Sequence, residues 1–129
     1  MKLGVAFPLI DSNVGGRPAA IREFAQTAEE TGYRNLSAPD HVLGVNVASR
    51  PDLGDRNTSA DTFHDPFVLF GFLAGVTKKV ECSTRMLILA QRQADLVATQ
   101  ATSLDALCGG RLQLGVGVGW NPVECTGLN

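Results

Sequence analysis

Asp40-His41, directly behind Pro39, is the pair in this sequence best suited to moving a proton. An imidazole titrates near neutral pH, and an adjacent carboxylate can orient it or share its contacts. The same residues also fit a duller role, with Asp40 closing a turn and His41 on the surface. His64 is the one other histidine. A metal-dependent hydrolase or isomerase built on Asp40, His41 and His64 is a weak alternative, because no H-x-H or H-E-x-x-H spacing accompanies them. The expectation is therefore no metal site.

A second stretch matters for what it leaves out. Residues 109–120 read GGRLQLGVGVGW. The glycine pair can end a helix, since glycine takes a positive φ without steric cost. In the strand that follows, Leu112, Leu114, Val116 and Val118 fall on one face, which helices can cover. Gln113, Gly115, Gly117 and Gly119 fall on the other. That nearly bare face lets a flat ligand or another backbone come close. Room for large neighbours inside a core explains the glycines equally well. The stretch is not a dinucleotide fingerprint, because Trp120 stands where the third glycine of G-x-G-x-x-G would be, and no G-K-[ST] follows.

The elements that must position these residues alternate. Residues 2–8 form an apolar run closed by proline, a buried first strand. Pro18 suits the first position of a helix in which Ile21, Phe24, Ala25 and Ala28 make an apolar stripe, with Gly32 behind it. Residues 33–38 are a second strand, which ends at Pro39-Asp40-His41. Residues 42–65 carry no periodicity, and so long a connection is either a functional lid or an insertion. Asp65-Pro66 caps a helix whose body, residues 66–77, is apolar nearly all round. Either a partner subunit or dense packing within the chain must cover it. Residues 80–89 read as a third strand. A helix capped by Asp95, with Val97, Ala101, Leu104 and Cys108 along one stripe, leads to the glycine strand. Asn121-Pro122 is a turn signal, and the final residues look like the start of an element that does not continue. Alternation of strands and helices calls for a parallel sheet with right-handed crossovers.

The 129 residues suffice for one domain with its own core, but a complete (β/α)₈ barrel typically needs roughly 250. With 44% hydrophobic and 19% charged residues, the composition is globular. A net charge of −2 and the lack of a basic block exclude nucleic acid as an expected partner. No apolar run approaches the ~20 residues that span a bilayer, so no membrane association is expected. Three scattered cysteines and the absence of a signal peptide point to a reducing, cytoplasmic setting.

The residues also resemble a known family. Residues 2–8, 28–33 (AEETGY), Asp40-His41, 87–93 (LILAQRQ), 99–107, and above all 109–121 with Val123-Glu124, are similar to the N-terminal half of the luciferase-like monooxygenase superfamily. Within it, the nearer likeness is to oxidoreductases that use coenzyme F420, a deazaflavin, or FMN. The resemblance covers essentially the whole chain, residues 1–129. It implies an α/β fold, a partial (β/α)₈ TIM-type barrel of about four parallel strands and three helices. It also implies hydride transfer or monooxygenation on an unidentified small organic substrate.

By the same resemblance, His41 is the proton donor or acceptor and Asp40 orients it or touches the ring. Residues 84–87 form a strained bulge behind the ring, so that Thr84, Arg85 and Met86 join Gly115, Gly117 and Trp120 in the cofactor bed. Arg85 departs from the pattern, standing where a small residue is usual, and its bulk would crowd a ring packed on that backbone unless it reaches a cofactor phosphate or carboxylate. Ala90 and Ala94 stand where proline is common, Ser37-Ala38-Pro39 replaces a bulkier strand end, and residues 125–127 also differ. A half-barrel would leave parallel edges open. Two copies could associate to cover the exposed face, and a homodimer through the apolar helix 66–77 is expected. The alternative is an inactive truncated half-barrel that serves as a dimerising or vestigial binding module.

Overall fold

The computed structural model describes residues 1–11, 13–54 and 57–128. Its strands are β1 (Gly4–Ala6), β2 (Asn35–Ala38), β3 (Glu81–Thr84), β4 (Leu87–Ile88), β5 (Leu112–Gln113) and β6 (Val116–Gly117). Its helices are α1 (Pro18–Glu30), α2 (Pro66–Val76), α3 (Ala94–Cys108) and α4 (Pro122–Leu128). One parallel sheet runs in the order β1-β2-β3-β5, with Val5 beside Leu36, Leu36 beside Cys82 and Cys82 beside Leu112. A second parallel pair, β4 with β6, sets Leu87 beside Val116 and Ile88 beside Gly117.

The third and fourth strands expected from the sequence are thus each divided in two. Side chain and backbone explain why. The Thr84 hydroxyl donates to the Gly115 carbonyl at 2.7 Å and accepts from the Gly115 amide at 2.8 Å. A side chain stands in the ladder where backbone would continue it. The Leu87 amide then donates to the same Gly115 carbonyl, and β4 resumes beyond it. The Arg85–Met86 peptide bond, which is cis, lies within this interruption.

α1 starts at Pro18, and its stripe buries Ile21, Ala25 and Ala28. It closes through Gly32, whose φ of 93° only glycine adopts without strain. The Tyr33 amide there donates to the Ala28 carbonyl. Asp65 caps α2 as expected, its Oδ1 accepting from the amides of Phe67 and Val68 at 2.9 and 3.1 Å. α3 starts one residue before its expected cap, so Asp95 lies in the first turn and favours the helix through its dipole. Gly109 ends α3 in the left-handed conformation.

The helices bury one apolar layer against the sheet. Ile21, Ala25, Leu36, Phe70, Leu73, Val80, Cys82, Val97 and Leu104 belong to a single cluster. α2 packs against both α1 and α3, and its Phe67, Leu69, Phe70 and Leu73 are buried within the chain. Dense packing therefore accounts for most of its apolar surface, and Val68 is the large apolar side chain it leaves exposed.

Three expectations are corrected. On the apolar face of the glycine strand only Leu112 packs against the core, while Leu114, Val116 and Val118 are all exposed, Val118 by 82%. The element after that strand, α4, sits against the loop behind β2 instead. α4 is also a fourth helix, where the sequence reading had three. Residues 42–65 are not structureless either. Val45 is fully buried and bridges to Thr58, and residues Pro51–Leu53 make a short 3₁₀ turn.

Candidate active site at the strand ends

In a parallel sheet all strands end on one face, and Pro39-Asp40-His41, residues 85–86 and residues 117–120 follow strand ends there. They enclose a cavity of about 320 Å³ lined by Asp40, His41, Arg85, Met86, Gly117 and Trp120, together with Pro39, Ile88, Val118 and Gly119. Six of the sequence-predicted site residues therefore meet in one place. Thr84 and Gly115 do not. They lie at the break between the strand pairs and hold each other, so Gly115 is glycine because a Cβ there would stand 2.6 Å from the Thr84 carbonyl oxygen. At Gly117, by contrast, a Cβ would meet the flexible end of the Met86 side chain.

His41 is held by a carboxylate that the sequence does not announce. Its Nδ1 lies 3.2 Å from Oε2 of Glu124, a fully buried residue of α4. The other oxygen, Oε1, accepts from the amides of Val42 and Leu43 at 2.8 and 3.2 Å. Glu124 thus ties α4 to the loop that carries His41. Phe63 packs on the imidazole with ring centroids 4.8 Å apart, and Trp120 meets it edge-on at 6.5 Å. Nε2 of His41 has no hydrogen-bond partner among the described residues.

Asp40 does not orient His41. Its carboxylate accepts from the Ile88 amide at 3.0 Å and from Arg92, whose Nη1 also donates to Asp65, the α2 cap, at 2.8 Å. The hydrogen bond to Asp40, more than the opposing effect of burial, holds the Arg92 guanidinium above its ordinary range. Asp40 keeps a place in the cavity wall, but its oxygens are engaged in joining β2, β4 and α2. Arg85 is different. Its side chain is exposed and has no charged partner among the described residues. It also lines a second cavity of about 380 Å³ beside Phe7, Pro8 and Ser37.

His64 lies elsewhere, with Nε2 2.5 Å from the Gly15 carbonyl oxygen. Among the described residues no group of three His, Cys, Asp or Glu side chains is placed to hold a metal ion. No helix among them is long and apolar enough to cross a membrane.

Sequence reasoning missed Glu124 and Arg92. A local signal for Glu124 exists, because Asn121 followed three residues later by a glutamate is a helix-start signature. Asn121 does fill that role, its Oδ1 accepting from the Val123 amide at 3.0 Å. The glutamate turns away to the loop instead of back to Asn121.

The comparisons with known proteins agree with one another. The whole chain, residues 1–129, matches the family model described as luciferase-like monooxygenase. An uncharacterised protein of Mycobacterium tuberculosis is 31% identical over 121 residues, covering 90% of this chain and 42% of the relative. The N-acetyl-S-alkylcysteine monooxygenase of Bacillus subtilis is 32% identical over 95 residues, 74% of this chain and 24% of that protein. The chain thus spans well under half the length of these curated relatives. Among solved structures, the oxygenating constituent of 3,6-diketocamphane monooxygenase from Pseudomonas putida, in complex with FMN, aligns with a TM-score of 0.77 at 19% identity. The alignment covers 100% of this chain and 33% of that one. The coenzyme F420-dependent tetrahydromethanopterin reductase of Methanopyrus kandleri aligns with a TM-score of 0.70 at 19% identity, over 99% and 30% of the two chains. These likenesses show the fold, an α/β portion of a (β/α)₈ barrel.

Proposed function

This chain belongs to the luciferase-like monooxygenase family, and from that membership we propose that its strand-end cavity is the bed of a flavin or deazaflavin, FMN or coenzyme F420, in an oxidoreductase acting on a small organic molecule. The observation that carries the reading is the convergence of His41, Arg85, Met86, Gly117 and Trp120 on one cavity. Its lining fits such a group: a wall with no side chain at Gly117, apolar surface from Met86 and Trp120, and a guanidinium with no charged partner among the described residues. When bound, either cofactor supplies hydride-transfer chemistry.

The protein's own residues do the rest. His41 gives or takes a proton at Nε2, the nitrogen that Glu124 leaves open. Phe63 and Trp120 flank the imidazole and keep water from it. Arg85 binds an anionic group of the cofactor or substrate. Asp40 shapes the wall and, through Arg92, fixes the strand ends around it. Thr84 and Gly115 act from beneath by setting where Arg85 and Met86 emerge. A cytoplasmic location and a small-molecule substrate are part of the same reading.

Titration of the purified chain with coenzyme F420 and with FMN, followed by ligand fluorescence, tests it. Saturable micromolar binding of either is expected. Absence of binding to both overturns the proposal. A second reading, a non-catalytic homodimer, draws on the exposed row Leu114, Val116 and Val118 and on Val68 of α2. Sedimentation of the chain with and without a charged substitution at Val68 or Val118 tests that reading.

A further inference from the structure

We infer that Glu124 is a positioning residue for His41, and that it dictates which imidazole nitrogen faces the cavity as a proton acceptor. The inference rests on the proposed role of His41 for its purpose, and on the geometry of α4 for its substance. A carboxylate can only accept hydrogen bonds, so a ring nitrogen 3.2 Å from Oε2 must carry the proton. In the neutral imidazole that proton sits on Nδ1, and Nε2 is left as a bare acceptor. Left alone, an imidazole can place its proton on either nitrogen. Here the choice is made from behind.

The rest of the arrangement makes Glu124 more than a chance neighbour. Its side chain is wholly buried, and burying a carboxylate is costly unless its oxygens are satisfied. The amides of Val42 and Leu43 satisfy Oε1, which leaves Oε2 for the imidazole. Those amides follow His41 directly in the chain, so one carboxylate fixes both the backbone behind the histidine and the plane of its ring. Phe63 and Trp120 then flank the ring. Among the described residues Glu124 is the carboxylate that reaches His41, and the neighbouring Asp40 is engaged instead with Ile88 and Arg92.

Glu124→Gln separates tautomer control from loop attachment. The glutamine Oε1 can still accept from Val42 and Leu43. Its amide nitrogen, however, is a donor, and it would face Nδ1 and drive the imidazole proton to Nε2. The cavity would then meet a donor where it had an acceptor. Long-range proton–nitrogen correlation NMR on ¹⁵N-labelled chain reads the tautomer directly, at about pH 8 where an ordinary imidazole is neutral. A His64→Gln variant assigns the two histidines.

The expected result is a proton on Nδ1 of His41 in the wild type and on Nε2 in Glu124→Gln. A wild-type proton on Nε2, or a tautomer unchanged by Glu124→Gln, overturns the inference. Should Glu124→Gln fail to fold, the wild-type tautomer decides: a proton on Nδ1 supports the inference and one on Nε2 overturns it. The measurement needs no cofactor. Failure to bind F420 or FMN would remove the proposed function while leaving the tautomer result standing, and the reverse outcome would do the opposite.

Discussion

Asp40 is bound by Arg92 through both carboxylate oxygens, Nε donating to Oδ2 at 3.0 Å and Nη2 to Oδ1 at 2.5 Å. The Asp40 side chain is 1% exposed and that of Arg92 14%. This is a buried, two-pronged ion pair, the geometry for which guanidinium is suited and ammonium is not.

Arg92→Met should therefore destabilise the fold by about 3–5 kcal/mol, because it strands a buried carboxylate. Arg92→Lys should recover only part of that loss. Urea unfolding of the three chains measures it. Equal stabilities would show that Asp40 keeps a solvated, independent carboxylate and return it to the list of residues free to act in the cavity.

Two glycines one register step apart should respond in opposite ways. At Gly115 an added Cβ meets a backbone carbonyl that cannot withdraw, so Gly115→Ala should part the strands and cost about 1–3 kcal/mol. Gly117→Val meets the Met86 side chain, which can turn aside into the cavity. That variant should keep its melting temperature and lose binding of F420 and FMN. Calorimetry paired with the fluorescence titration distinguishes the two. If Gly117→Val bound either cofactor normally, the glycine face would be packing room alone.

Acid should weaken the junction between α1 and the turn after α2. Glu29 accepts from the amides of Lys78, Lys79 and Val80 at 2.6–3.1 Å. Burial alone would raise its pKa, but these three donors outweigh it and hold the carboxyl below the ordinary 4.5. A group depressed on folding contributes stability that is complete above its unfolded value and fades as pH falls through its folded one. Glu29→Gln should thus be less stable than wild type at neutral pH, by about 1–2 kcal/mol. The gap should narrow as pH falls below the ordinary carboxyl value of 4.5 and close once Glu29 is protonated in the folded chain. Melting curves across that range measure it, and a gap independent of pH would refute the assignment.

What the sequence made legible was local. The stripe of α1, the Asp65-Pro66 cap of α2 and the Gly109 stop of α3 each depend on residues within a turn or two, and each is where it should be. The alternation of elements implied a parallel sheet for the same reason. The interruption of the third and fourth strands was not legible, because it depends on Thr84 reaching Gly115, 31 positions away. Nor was the partner of His41, which lies 83 positions along the chain. Asp40 next to His41 looked like that partner only because adjacency in sequence is visible and adjacency in space is not. α4 is short enough that no apolar stripe forms, and only its Asn121 cap marks it.

His41 itself separates chemistry from folding. Replacing it with alanine removes one hydrogen bond to Glu124 and the contacts with Phe63 and Trp120, but leaves Oε1 of Glu124 with both of its amide donors. His41→Ala should therefore fold, with a loss of about 2–3 kcal/mol because the buried Oε2 of Glu124 loses its partner. Because the imidazole moves a proton in the proposed reaction, turnover of any substrate identified by screening with F420 or FMN should fall roughly 10²–10⁴-fold. Binding of the cofactor, which draws on Arg85, Met86 and Gly117, should change little. Steady-state kinetics beside the fluorescence titration separates the two effects. Unchanged turnover would take His41 out of the mechanism, and lost cofactor binding with intact folding would recast it as a wall of the cofactor bed.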